Sequence, residues 1–259
     1  MGMAALTMHP EDYDGILIGA PGMGPNRGTE TMLGFIYMAQ QLTREDGAWL
    51  SPAKLKFVDQ QVTEHCDALD GAIDNMVWDH NTCSFNFNTL RCKNTDNNNC
   101  LTNAEITTIE ALLVGPASPK GSIKQGMPIS NMALWSRFIG HVAPPWPDIN
   151  AQSERTLEQG SPGYIMANTL AQAYFGETFN SLKDFDFSNQ VMLDEWWAAA
   201  KRIGYGAPFK LDISPYQQHG GKVVFWNGVS DPCCSDNDLE KFYREASPFV
   251  GGISEMQAM

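Results

Sequence analysis

Apolar positions recur along the chain in blocks of helical or strand spacing, separated by Gly, Pro, Asn and Asp. Ile16-Leu-Ile-Gly19, between the turn around Asp14-Gly15 and the segment Ala20-Pro-Gly-Met-Gly24, has the length and texture of a buried parallel strand entering a loop. Met32, Leu33, Phe35, Ile36, Met38, Ala39 and Leu42 surround most of a helix over 29–43, which predicts that this helix is buried. Ser51-Pro52 supplies an N-cap and a first-position proline ahead of Leu55, Val58 and Val62 at helical spacing. Thr102-Asn-Ala-Glu105 is a capping box opening a helix through Ile106, Ile109, Leu112 and Leu113, closed by Gly115-Pro116. Further helices are expected at 164–175, 192–202 and 237–246, and a strand at 222–227. Residues 1–10 read as the tail of an amphipathic helix. No internal repeat is visible.

Two stretches break the periodicity. From Cys66 to Cys100 the chain is rich in Asp, Asn and Cys, so it is expected to be loop-rich and cross-linked. From Pro116 to Pro162, Gly and Pro are frequent and Trp135, Phe138 and Trp146 stand among them as aromatic anchors. Two apolar strands about 200 residues apart, with a helical, cysteine-bearing region between them, predict an α/β sheet interrupted by an insertion.

Composition narrows the partners. In 259 residues, hydrophobic side chains make up 43% and charged ones 18%, the balance of a packed globular protein. The formal charge of −13 sets a field that repels phosphate backbones and anionic lipid, so nucleic-acid and membrane-surface roles are disfavoured; simple solubility is the plainer meaning of that acidity. No window approaches the ~18 uninterrupted apolar residues of a membrane span. The N-terminal residues lack the basic and apolar regions of a signal peptide.

The densest chemical cluster is Asp67, Asp70 and Asp74 around Gly71. Hard oxygen ligands this close repel one another unless a cation lies between them, and Ca²⁺ takes six to eight such oxygens from a flexible loop. Backbone carbonyls of Ala72 and Met76 would complete the set. The spacing is not that of an EF-hand, and a solvated acidic turn is the competing reading. Cys66 and Cys83 bracket this loop, Cys92 and Cys100 bracket another, and Cys233 and Cys234 are adjacent. The absence of a Cys-x-x-Cys pair argues against zinc. Six cysteines allow fifteen disulfide connectivities, of which local pairing is the simplest. Closing the 17-residue span would stabilise the fold by roughly 3 kcal/mol and imply an oxidising compartment.

Trp226-Asn-Gly-Val-Ser-Asp231-Pro232 puts a carboxylate just past the carboxyl end of a strand, where open α/β sheets keep their sites; an Asp-Pro turn is also a common structural device. No Gly-x-Ser-x-Gly occurs, and His9, His65, His80, His141 and His219 lack a catalytic setting, so all five are expected to be structural.

Taken in order, these constellations resemble the tannase and feruloyl esterase family of secreted α/β-hydrolases. Met8-His-Pro-Glu-Asp-Tyr-Asp-Gly-Ile-Leu-Ile-Gly-Ala-Pro21 is similar to the segment after that family's nucleophile elbow. The Cys66 to Cys83 stretch resembles its disulfide-bracketed calcium loop, with Asp67, Asp70 and Asp74 on the carboxylate ligands and Ala72 and Met76 on the carbonyl ligands. Cys92 and Cys100 match a second lid disulfide. Gly220-Gly-Lys-Val-Val-Phe-Trp-Asn-Gly-Val-Ser-Asp231-Pro resembles the strand leading to the triad aspartate, with Asn227 where the family usually has His. Cys233 and Cys234 stand where the family is apolar.

The resemblance implies a partial α/β-hydrolase sheet with a large inserted, disulfide-stabilised lid. Residues 1–50 and 188–259 would be two parts of the catalytic domain, and 51–187 the lid with its Ca²⁺ loop. The implied activity is hydrolysis of aromatic acid esters, feruloyl, galloyl or related, by a Ser-His-Asp mechanism in which Asp231 orients the histidine. The family's Gly-Cys-Ser-x-Gly-Gly and Gly-x-x-His-Cys segments are not in this sequence, so the chain is expected to be an internal fragment, inactive alone. The implied partner is a small aromatic ester and the implied location is secreted or periplasmic. Trp135 and Phe138 are candidates for an acyl pocket, against a core role. A non-catalytic, Ca²⁺-stabilised binding module is the alternative.

Overall fold

The computed structural model of the chain describes residues 2–21, 29–94, 97–146, 160–203 and 210–259. The Gly22-Met-Gly24 turn expected after the first strand lies outside the described residues.

Helix α1 (Gly2–Met8) leads through a turn into strand β1 (Gly15–Gly19), and the apolar block that follows forms α2 (Thr29–Leu42). Helix α3 (Pro52–Cys66) starts where the Ser51 hydroxyl accepts the Lys54 N–H at 3.2 Å. Its cap leaves the first-position proline without a donor to satisfy. Helix α4 (Asn103–Val114) opens on a reciprocal capping box: the Glu105 N–H donates to Thr102 Oγ1 at 3.2 Å and the Thr102 N–H to Glu105 Oε2 at 2.8 Å.

A two-residue hairpin, β2 (Ala117–Ser118) and β3 (Gly121–Ser122), precedes α5 (Ser136–Ile139). Then come α6 (Pro162–Phe175), α7 (Ser181–Asp184), α8 (Gln190–Arg202) and α9 (Ser214–Gln218). Strand β4 (Lys222–Trp226), α10 (Asp236–Ala246) and α11 (Ile253–Gln257) end the chain.

Strands β1 and β4 pair in parallel, Ile16 opposite Val223 and Ile18 opposite Phe225. With a period of two, one face presents Ile16, Ile18, Val223 and Phe225 to a core built with Met3, Leu6, Tyr216 and Phe242. The other face carries Leu17, Val224 and Trp226, which are 70%, 59% and 58% exposed. The apolar run of β1 therefore forms a strand buried on one face, not on both as its sequence predicts. The reason is that its packing partners, α1, α9, α10 and α11, gather on a single side. A Cβ at Gly19 would come within 2.2 Å of the exposed Trp226 ring, so the indole would have to move to admit it.

The second, larger core draws in α2, α3, α4, α5, α6 and α8. Helices α2 and α8 pack into this core too: Gly163 of α6 lies against Phe35 and Met38 of α2 so closely that a Cβ would need the Met38 methyl to move. Trp135 is fully buried with its Nε1–H donating to the Pro128 carbonyl at 3.0 Å, and Phe138 stacks on Phe35 with centroids 4.6 Å apart. Trp135 is thus a core residue, and Phe138, partly buried, packs against the same core.

Between α3 and α4 regular structure gives way to two 3₁₀ turns, Asp67–Asp70 and Phe87–Leu90. Disulfides join Cys66 to Cys83 and Cys92 to Cys100, with Cα atoms 5.5 and 4.9 Å apart. Among the described residues no helix is long and apolar enough to cross a membrane.

Candidate functional site

The chain leaves β4 through a tight turn in which the Asp231 N–H donates to the Gly228 carbonyl at 3.1 Å. Asp231 Oδ1 then accepts two N–H groups from the residues just beyond it, Cys233 at 2.8 Å and Cys234 at 3.0 Å. Two backbone donors on one oxygen fix the carboxylate at the carboxyl end of the parallel pair, the edge of an α/β sheet where sites collect.

Neighbours hold the turn from several directions. Asn227 Nδ2 donates to the Cys234 carbonyl at 2.7 Å, closing the loop across its base. From α2, Thr31 Oγ1 donates to the Cys233 carbonyl at 3.5 Å. Ser130 Oγ donates to the Val229 carbonyl at 3.2 Å, and Ser230 Oγ donates to Ser130 Oγ at 3.1 Å. Asn227, in the place where the resembling family has His, is thus a loop-closing residue. Sequence reading did not find Ser130 or Thr31, since nothing local marks a partner 99 or 202 residues away.

The cysteines beside Asp231 are free thiols with sulfurs 3.5 Å apart. Their mutual S–H···S contact, with burial adding to it, pushes the Cys233 thiol far above its ordinary range, and the same contact draws Cys234 below it. Lys124 faces both sulfurs and pairs with Asp238 at 3.6 Å, where burial raises the Asp238 carboxyl above the ordinary range against the pull of Lys124.

In the acidic loop, Asp67 is nearly buried and acts as the hub. Its Oδ1 accepts the N–H of Asp74 at 3.1 Å and of Met76 at 3.2 Å, and its Oδ2 accepts that of Asn75 at 3.1 Å. Asp70 accepts the N–H groups of Ala72 at 3.0 Å and Trp78 at 2.9 Å, and Asp74 that of Met76 at 3.1 Å. Residues 72–78 are therefore wound around three carboxylates, an all-oxygen donor set of the kind a hard dication takes. Their oxygens are engaged by N–H groups, and they do not form a trio within 4.8 Å of one another.

Three of the histidines lie beside carboxylates. His80, buried, lies 3.5 Å from Asp236 at the start of α10, so the acidic loop touches the helix that follows the Asp231 turn. Burial raises the Asp236 carboxyl above the ordinary range while His80 opposes the rise. His9 and His219 pair with Asp12 and Asp14, each at 3.5 Å. Two hollows adjoin the turn: a small one of about 20 Å³, room for one water, between α2, Gly126 and Pro232, and a wider, more open one of about 420 Å³ framed by Asn227, Asp236, Leu239 and Tyr243.

Comparison with known proteins gives a consistent picture. The family model described as tannase and feruloyl esterase matches residues 1–247. A probable feruloyl esterase B-2 of Neosartorya fischeri is 24% identical over 269 aligned residues, covering 96% of this chain and 43% of that protein. A probable feruloyl esterase B of Aspergillus clavatus is 25% identical, covering 93% and 42%. Among solved structures, feruloyl esterase B from Aspergillus oryzae superposes with a TM-score of 0.73 at 19% identity, over 97% of this chain and 46% of that one. Tannin acyl hydrolase from Aspergillus niger gives 0.66 at 15% identity, over 99% and 47%. The chain spans less than half the length of each of these relatives.

Proposed function

Since this chain belongs to the tannase and feruloyl esterase family, we propose that it is part of a serine carboxylic ester hydrolase acting on aromatic acid esters, with Asp231 as the acid of a Ser-His-Asp triad. The observation that carries this reading is the placement of Asp231: directly beyond β4, with Oδ1 pinned by the N–H groups of Cys233 and Cys234. In this reading the nucleophilic serine and the histidine come from sequence outside these 259 residues, in keeping with relatives more than twice as long.

The chemistry follows from what an immobile carboxylate can do. Serine attacks the ester carbonyl, histidine takes its proton and returns it to the leaving alcohol, and Asp231 holds the imidazole in its productive tautomer and stabilises it once charged. A carboxylate fixed by backbone donors does not have to be reorganised when that charge develops. Residues 51–187 form the lid in this scheme and 1–50 with 188–259 the catalytic portion, whose bare sheet face (Leu17, Val224, Trp226) meets the rest of the catalytic domain. The acyl group is feruloyl, galloyl or a related phenolic acid. Calcium would be held by Asp67, Asp70 and Asp74 with the Ala72 and Met76 carbonyls, stiffening the loop that leans on α10 through His80. The two disulfides support a secreted or periplasmic location.

The test is Asp231→Asn in the full-length enzyme, assayed on methyl ferulate and methyl gallate. A drop in kcat of about 10⁴ with an unchanged circular dichroism spectrum is expected, the size seen when a triad loses its orienting carboxylate. Wild-type turnover in the variant would end the assignment.

A further inference from the structure

We propose that Cys233, Cys234 and Asp231 form a site for a thiophilic divalent cation of the Zn²⁺ class, bound by two thiolates and one carboxylate oxygen with water in the fourth position. Among the described residues this is the one place where three metal-ligating side chains bring their ligand atoms within 4.8 Å of one another. The sulfurs stand 3.5 Å apart. Two thiolates at 2.3 Å from a tetrahedral zinc are separated by about 3.8 Å, so the pair needs to open by only a few tenths of an ångström.

The site is built in advance. Asp231 Oδ1 takes the N–H groups of both cysteines, Asn227 holds the Cys234 carbonyl at 2.7 Å, and Thr31 holds the Cys233 carbonyl at 3.5 Å. The backbone bearing all three ligands is thereby fixed before an ion arrives, which lowers the ordering cost of binding. Three protein ligands on zinc leave one coordination position open. A search for Cys-x-x-Cys spacing passes over this group because its sulfurs are on neighbouring residues.

Binding is a ligand exchange without electron transfer. Each thiol gives up its proton as its sulfur–metal bond forms, the ion sheds water, and two protons are released per ion. The site does not depend on Asp231 serving in a triad, and its test uses no activity.

The experiment titrates Cd²⁺, then Zn²⁺ in competition, into the 259-residue chain with Cys66–Cys83 and Cys92–Cys100 intact and the two free thiols counted by alkylation. One Cd²⁺ per chain with an ultraviolet thiolate-to-metal band is expected, together with weakening of at least about ten-fold in Cys233→Ser and Cys234→Ser. Asp231→Asn, which keeps both sulfurs, should retain the band at lower affinity, so a misfolded serine variant does not obscure the result. A disulfide between Cys233 and Cys234 in the purified protein, no band in the wild type, or equal affinity in Cys234→Ser would each overturn the proposal.

Discussion

Ser130 and Val229, 99 residues apart in sequence, are joined by a hydrogen bond of 3.2 Å from the serine hydroxyl to the valine carbonyl. The Ser130 side chain is buried, and its oxygen also accepts the Ser230 hydroxyl at 3.1 Å. The middle segment of the chain thus grips the turn that carries Asp231.

Ser130→Ala removes that grip and leaves a part-buried carbonyl short of a donor, at a cost of about 1–2 kcal/mol in urea unfolding. In the full-length enzyme kcat should fall while KM holds, because the loss falls on the placement of Asp231 and not on substrate contacts. Equal losses in both parameters would contradict a positioning role.

The Lys54 ammonium lies 2.8 Å from Glu105 Oε2, and both side chains are buried. Glu105→Gln preserves an acceptor for the Thr102 N–H of the capping box while removing the negative charge beside the ammonium. A loss of about 3 kcal/mol is expected, most of it recovered in the double variant Lys54→Met/Glu105→Gln, which keeps the capping-box acceptor. A single variant as stable as wild type would show that the pair does not matter.

Calcium at saturating concentration should raise the Tm of the chain by about 5–10 °C, the shift that ~2.7 kcal/mol of linked binding gives a protein of this size. EDTA should reverse it, and Asp67→Asn, which removes the loop's hub, should abolish the response. A Tm indifferent to EDTA would refute the calcium assignment.

Reducing the two disulfides is expected to have unequal effects. The chain-entropy model gives about 3 kcal/mol for the 17-residue span of Cys66–Cys83 and about 2.5 for the 8-residue span of Cys92–Cys100. Paired serine variants compared by urea unfolding should keep that order.

Burial raises the Asp59 carboxyl above the ordinary range, against the opposing pull of the Met132 and Ala133 N–H groups. Between its ordinary and raised values the folded state binds more protons than the unfolded state, so stability falls as pH rises through that window. Asp59→Asn is uncharged throughout and lacks this dependence. Wild type should therefore lose ground to the variant as pH rises from about 4 in urea unfolding; a constant gap would show that Asp59 is not desolvated.

Local signals in the sequence carried most of the architecture. The Thr102 capping box, the Ser51-Pro52 start and the apolar circumference of α2 each depend on residues within one or two turns of one another, and each element formed where those residues lie. The Asp231 turn was legible for the same reason. What escaped were relationships set by distant packing: the grip of Ser130 on Val229, the joining of α2 and α8 to the larger core, and the one-sided burial of β1. An apolar run records that a strand is hydrophobic on both faces. It does not record which part of the protein supplies the second cover.

Trp226 makes that uncovered face observable. Its indole lies across Gly19 and is 58% exposed, whereas Trp135 and Trp196 are fully enclosed. Indole emission shifts to shorter wavelength when water is stripped from the ring, a sensitivity that Trp226 shares with Trp78 of the acidic loop, 51% exposed. In a Trp78→Phe background Trp226 becomes a built-in optical gauge: its colour then reports whether the sheet is wet or covered, without a label and without any catalytic assay.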